Sequence, residues 1–166
     1  MFKQNYNVIG IMSGTSLDGV DLAHIKFYKK ENWTFEILET KTVSYTQNWL
    51  NTLRKAVNFS NLELIQLNED YTLLLSQIII DFILEYNIKN IDAVCNHGHT
   101  IIHKPDLGYT LQIGNLPILA QMINQIVVCD FRVQDVLLGG QGAPLVPIGD
   151  KMLFPEYDYC LNLGGF

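Results

Sequence analysis

Long apolar runs are missing from this 166-residue chain. Its most apolar stretch, Leu73 to Leu84, is interrupted by Ser76, Gln77 and Asp81 and falls short of the ~20 residues of a membrane span. Met1-Phe2-Lys3-Gln4-Asn5 has no apolar core of a signal peptide. A cytoplasmic protein with no membrane partner is expected. Cations are scarce: 11 Lys and Arg stand against 17 Asp and Glu, a net charge of −6. That balance argues against nucleic acid as a partner, because holding a phosphate backbone needs clustered cations. Cysteine is limited to Cys95, Cys129 and Cys160, each inside an apolar run. An odd count of this kind reads as reduced, buried thiols and not as a disulfide frame. Internal repeats and low-complexity tracts are absent as well.

What the chain does have is apolar material for a core: 48% hydrophobic residues at a one-domain length. Val8–Met12 reads as a buried strand, and Ser13–Gly19 as a turn. From Val20 to Tyr28, Val20, Leu22, His24 and Lys26 alternate with Asp21, Ala23, Ile25 and Phe27, the pattern of a paired strand. Trp33 to Tyr45 is strand-like again, so an antiparallel meander is expected. Asn48–Val57 reads as a short helix. Ser60 stands three residues before Glu63, a capping-box spacing. Leu64, Leu67, Tyr71, Leu74, Ile78 and Phe82 then mark a long amphipathic helix with a candidate break near Asn68, ending at Asn87–Asn90. Ile91–Cys95 reads as a strand, Pro117–Asn124 as a helix, Ile126–Cys129 as a strand, and Pro144–Phe154 as helical in part. Tyr157–Leu163 has the pattern of one more strand. The fold class is α/β: a mixed sheet with a β-meander followed by α-β-α-β, as in a ribonuclease H-like layer.

Four groups of residues carry chemistry. Gly14-Thr15-Ser16-Leu17-Asp18-Gly19-Val20-Asp21 joins two strands. Its glycines let backbone N–H groups line an anion, its hydroxyls add donors, and Asp18 and Asp21 suit Mg²⁺. A plain hairpin turn with solvated carboxylates uses the same residues. No Lys and no helix follow the glycines, which excludes a Walker-type loop. His97, His99 and His103 with Thr100 follow a strand. Their spacing allows a transition metal, a ligand cleft at a strand end, or satisfied structural histidines. Asp130, Arg132 and Asp135 precede Gly139-Gly140-Gln141-Gly142. Arg132 suits a planar anion or an ion pair with Asp130 or Asp135. Gln112 and Asn115 suit sugar hydroxyls and acetamido groups, or turn chemistry.

Taken in order, several blocks resemble one family. They are Ile11-Met12-Ser13-Gly14-Thr15-Ser16-Leu17-Asp18-Gly19-Val20-Asp21, His97-Gly98-His99-Thr100 with His103 and Pro105, and Leu111-Gln112-Ile113-Gly114-Asn115. Asp130-Phe131-Arg132 with Asp135, Gly139 to Pro147, and Leu161-Asn162-Leu163-Gly164-Gly165-Phe166 follow. Together they resemble the anhydro-N-acetylmuramic acid kinases, of the sugar-kinase, Hsp70 and actin superfamily. The resemblance implies two ribonuclease H-like lobes of an actin-like ATPase, with ATP and an amino sugar between them. Residues 1–156 would form the first lobe and 157–166 the opening strand of the second. It implies a reaction that uses ATP, Mg²⁺ and water to open the 1,6-anhydro ring and phosphorylate O6, giving N-acetylmuramate 6-phosphate in cell-wall recycling.

Residue by residue, Gly14, Thr15, Ser16, Leu17, Asp18, Gly19, Val20 and Asp21 match the phosphate segment, with Asp18 and Asp21 at the metal. His97, Thr100, Gln112 and Arg132 fall on the sugar side. His99 stands where the family pattern has Gln. The water-activating Asp and the adenosine site are expected beyond Phe166, so the segment alone is expected to be catalytically silent. Two further readings remain open: a non-catalytic sugar-binding fragment, and another sugar or acetate kinase of the superfamily. A homodimer is also left open.

Overall fold

A computed structural model describes residues 3–14, 16–142 and 145–161, without the side chain of Leu145. Alternation turns the first quarter of the chain into the expected meander. Strands β1 (Asn5–Ser13), β2 (Val20–Lys29) and β3 (Trp33–Val43) pair antiparallel in sequence. Val20, Leu22 and His24 of β2 all point into the core. On its other edge β1 pairs in parallel with β4 (Ala93–Lys104). Beyond it lie β5 (Tyr109–Ile113), antiparallel to β4, and β6 (Val127–Val128), parallel to the start of β4. The sheet order is β3-β2-β1-β4-β5, with β6 also on β4. The result is the α/β, ribonuclease H-like layer expected of an actin-like ATPase lobe.

The helices sit where capping signals put them. Helix α1 (Gln47–Lys55) is capped by Thr46, whose Oγ1 accepts from Trp49 N at 3.4 Å. In α2 (Asn61–Glu85) Ser60 Oγ accepts from Glu63 N at 3.4 Å, and Glu63 returns the bond to Ser60 N at 2.7 Å. At its far end Asn87 takes a left-handed conformation (φ +49°). Asn87 N then bonds Leu84 O, and Ile88 N bonds Ile83 O, a Schellman closure. Tyr71, Leu75, Ile79 and Phe82 of α2 are at most 1% exposed against Ile9, Leu22, Val94 and Ile113 of the sheet. Each such side chain contributes about 1.5–3 kcal/mol of burial. Three shorter helices follow: α3 (Ile118–Ile123), α4 (Val133–Leu137) and α5 (Leu145–Leu153).

Several expectations are corrected. Helix α2 is unbroken at Asn68, because that side chain leaves the helix surface to accept from Gly114 N at 2.7 Å. Strand β5 was not foreseen; five residues after a Pro-Asp-Leu-Gly turn are too short to declare themselves. The His97–Thr100 block lies inside β4 and not past its end. Cys160 is exposed, and Cys95 and Cys129 are only half-buried, although all three are free thiols. Tyr157–Leu161 pairs with no strand among the described residues; Asn162 to Phe166, and Pro144, lie outside them. No described helix is long and apolar enough to cross a membrane.

Ser60→Ala removes one cap bond and is expected to cost about 1 kcal/mol. Asn68→Leu strands the buried Gly114 N–H and is expected to cost about 1–3 kcal/mol. Urea denaturation of the two variants checks the ranking; equal losses would show that the Asn68 bond adds nothing beyond a surface cap.

Candidate functional site

The first part of the site is the return between β1 and β2. Ser13 pairs directly with Val20, so six residues must reverse the chain within one strand spacing. Leu17 N donates to Gly14 O at 3.2 Å, and Leu17 itself has φ +58°. At Gly19 a Cβ would lie 2.5 Å from Val43 O, so only glycine lets the loop press on the end of β3. Asp18 Oδ1 accepts from Ser16 Oγ at 2.8 Å, and Asp21 Oδ1 accepts from Thr42 Oγ1 at 2.5 Å. Both carboxylates are exposed, and each keeps its second oxygen without a partner among the described residues. An oxygen-only set of two carboxylates and hydroxyls fits Mg²⁺, which takes its remaining ligands from water and phosphate. Thr15 lies outside the described residues.

Directly beneath the loop, buried Ser13, Tyr71 and His99 form a polar group with half-buried Tyr45. Ser13 is the register partner of His99 across β1 and β4. The Tyr45 and Tyr71 hydroxyls meet at 2.5 Å, and the His99 ring packs against both tyrosines with centroids 6.3 and 5.8 Å away. Ser13 Oγ and His99 Nδ1 make no hydrogen bond of good geometry among the described residues. Burial raises the Tyr71 phenol well above its ordinary value and raises Tyr45 as well. Burial, seconded by His97, lowers the His99 pKa to about 4.

The second part of the site begins with a bulge. Between Ile11 and Ser13, β1 advances two residues while β4 advances three, from Asn96 to His99. Gly98 absorbs the extra residue at φ +72°, where a Cβ would strike Ile113 O at 2.7 Å. Fully buried Asn96 braces it: its Oδ1 accepts from Gly98 N at 3.2 Å. Asn96 Nδ2 donates to Gly114 O at 2.8 Å and to Asn115 Oδ1 at 2.9 Å. Asn115 in turn donates to Asp130 Oδ1 at 3.0 Å.

His97 is turned towards Arg132, whose Nε–H donates to His97 Nε2 at 2.8 Å. Arg132 Nη1 donates to Gly142 O at 2.6 Å, and Gly142 N donates to Asp135 Oδ2 at 2.6 Å. Arg132 forms no ion pair with Asp130 or Asp135 among the described residues. The ion pair, one of the two alternatives for Arg132, is therefore replaced by neutral partners.

Gln112 on β5 is 5% exposed. It donates through Nε2 to Thr110 Oγ1 at 2.8 Å and to Thr100 Oγ1 at 3.3 Å. Thr110 gives its own proton to Ile102 O, which orients the amide and leaves Gln112 Oε1 buried without a partner among the described residues. That oxygen awaits a donor such as a hydroxyl or an amide N–H.

Of the sugar-side candidates, the structure joins His97 to Arg132 and Thr100 to Gln112. It separates the three histidines: His97 faces Arg132, His99 the tyrosines, and His103 Thr110 at 3.1 Å. No cluster of three potential metal-binding side chains exists among the described residues, so the transition-metal alternative fails. Asn96 and the Tyr45–Tyr71 pair were missed. An Asn within an apolar strand was a signal for the first; nothing local links residues 45 and 71.

His99 gives the fold an acid sensitivity. Its unfolded form charges near 6.5 and its folded form near 4. As pH falls from 6.5 the unfolded state takes the proton first, so stability present above that pH is lost towards pH 4. The total is about 3 kcal/mol. Urea midpoints at pH 7 and pH 4.5 are expected to converge in His99→Gln relative to the parent; identical pH dependence in both would disprove the assignment.

The family model for anhydro-N-acetylmuramic acid kinase matches residues 6–166. An anhydro-N-acetylmuramic acid kinase of Pseudomonas syringae pv. syringae is 35% identical over 166 residues, covering 95% of this chain and 44% of the relative. Those of Zymomonas mobilis and Bacillus cereus are 38% and 35% identical, covering 95% of this chain and 47% and 45% of their own lengths. The chain thus spans less than half the length of these curated relatives. With the match running through the β1–β2 loop, the β4 bulge and the Arg132 segment, the chain belongs to the anhydro-N-acetylmuramic acid kinase family.

Proposed function

We propose that this chain supplies the phosphate loop and the sugar-side wall of an ATP- and Mg²⁺-dependent kinase acting on 1,6-anhydro-N-acetylmuramate. Water opens the anhydro bridge at the anomeric carbon, and the freed O6 takes the γ-phosphoryl group. The product is N-acetylmuramate 6-phosphate, a step in bacterial cell-wall recycling in the cytoplasm. When bound, Mg·ATP supplies that phosphoryl group and neutralises its charge. Residues 1–156 form the first lobe in this reading, and 157–166 open the second.

The roles follow the chemistry of the side chains. Backbone N–H groups of Gly14 to Gly19 face phosphate oxygens, while Asp18 and Asp21 hold the cation directly or through water. Gln112 Oε1 accepts from a sugar hydroxyl or the acetamido N–H. Arg132 faces the carboxylate of the muramate side chain, a planar anion suited to a guanidinium. The water-activating base is not assigned to Asp130 or Asp135, whose carboxylates hold Asn115 and Gly142 in place. The observation that carries this reading is the pairing, among the described residues, of an unpartnered buried acceptor, Gln112 Oε1, with a cation lacking a carboxylate, Arg132, on elements that pack together.

Calorimetry on a complete kinase containing this segment tests it. Arg132→Met is expected to weaken the anhydro sugar about ten- to a hundredfold and leave Mg·ATP affinity unchanged. Asp18→Asn with Asp21→Asn is expected to do the reverse, weakening nucleotide binding only in the presence of Mg²⁺. Sugar binding with no nucleotide binding at all would replace the kinase by a sugar-binding module.

A further inference from the structure

If Arg132 meets the substrate carboxylate, something must hold a flexible guanidinium in one plane. We propose that His97 is that positioning residue: its neutral ring, fixed as one tautomer by the β4 bulge, aims Arg132 and does not touch the sugar. This rests on the reading of Arg132 given above, and it moves His97 from the substrate contacts to their support.

The hydrogen bonds decide the tautomer. His97 Nδ1 lies 2.8 Å from Gly98 O. A carbonyl oxygen only accepts, so Nδ1 carries the proton and Nε2 keeps its lone pair. Arg132 Nε–H points into that lone pair at 2.8 Å. Both ring nitrogens are therefore used, and neither is left for a substrate. The carbonyl that sets the tautomer belongs to Gly98, the residue whose φ of +72° absorbs the extra residue of β4. The bulge thus turns the ring to Arg132 and supplies the acceptor that orients its proton.

A second anchor completes the clamp. Gly142 O accepts from Arg132 Nη1 at 2.6 Å, and Asp135 holds Gly142 N. With Nε and Nη1 each committed to one bond, three of the five guanidinium N–H donors remain for an anion. The charged and titratable groups around the ring are Arg132 ahead of α4, His99 on β4, Asp135 behind Gly142, and Asp130 behind Asn115. None of the carboxylates reaches the imidazole. Burial, and after it the Arg132 charge, lowers the His97 pKa against the opposing pull of the Gly98 bond. A proton on Nε2 would break the bond to Arg132 and set two cations in contact.

Two measurements test this. Nitrogen-15 NMR of the imidazoles in the substrate-free chain is expected to show His97 as the Nδ1–H tautomer, still neutral below the ordinary value of 6.5. An Nε2–H tautomer, or titration at the ordinary value, overturns the proposal. In a complete kinase, His97→Leu is expected to raise KM for the carboxylate-bearing anhydro sugar about ten- to a hundredfold. KM for ATP is expected to stay within about twofold, as for a loss confined to the sugar side.

The same variant should lose the preference over an anhydro sugar lacking the carboxylate, and His97→Gln, which offers an acceptor at the same reach, should restore it. Sugar KM in the parent should rise on acidification, and His97→Gln should flatten that rise. Equal losses for both sugars overturn the proposal, since they indicate direct sugar contact or general damage. Unchanged sugar affinity in Arg132→Met would overturn the reading of Arg132, and this inference with it, whereas the tautomer reports on His97 with no substrate present.

Discussion

Between Asn96 and His99, strand β4 holds one residue more than its parallel neighbour β1, and the polar end of the sheet is arranged around that step. Before it, β4 is a core strand between β1 and β6. After it, β4 pairs with β5. The step survives in the interior because Asn96 satisfies it: one buried amide accepts from Gly98 N and donates to Gly114 O and Asn115. Leaving any of these groups unpaired would cost about 1–3 kcal/mol. Regular pairing would have put His97 and His99 on one face of the strand. The bulge sends them apart, one to Arg132 and the other to Tyr45 and Tyr71.

Polar satisfaction is uneven across the molecule, and the pattern has a place. Three buried side-chain atoms lack partners among the described residues: Ser13 Oγ, His99 Nδ1 and Gln112 Oε1. They sit on β1, β4 and β5, at the end of the sheet that carries the Gly14–Gly19 return and the bulge. The charges there are divided in the same sense. Asp18 and Asp21 face solvent at the loop with oxygens to spare, while Arg132 stands among neutral partners. The two proposed ligands, metal-bound phosphates at the loop and a sugar carboxylate at Arg132, would match that polarity.

Much of the scaffold was readable because it depends on short-range rules. Ser60 and Glu63 announce α2 three residues apart, Asn87 closes it, and the alternation from Val20 separates the two faces of β2. What escaped depends on contacts far apart in the chain. Asn68 looks like a helix breaker until Gly114, forty-six residues on, supplies the N–H that it accepts. Tyr45 and Tyr71 share a hydrogen bond across twenty-six residues. The His97–Thr100 block reads as lying past a strand end, yet Gly98 is a bulge inside the strand, because only the register against β1 counts the extra residue. The three histidines looked like one cluster and serve three different partners.

The chain by itself determined which residue types lie at the loop and at the strand ends, since glycine, hydroxyl, carboxylate, amide and guanidinium groups are set by the order of the residues. It also determined α1, α2, α3 and the meander, whose signals lie within a few residues of one another. Only the tertiary structure decided which of these groups are already committed and which remain available. Hydrogen-bond partners are chosen by distance in space, and burial decides whether water can stand in for a missing one. Thus His97, with both ring nitrogens occupied, is proposed as a support, and Gln112, with an oxygen left over, as a contact.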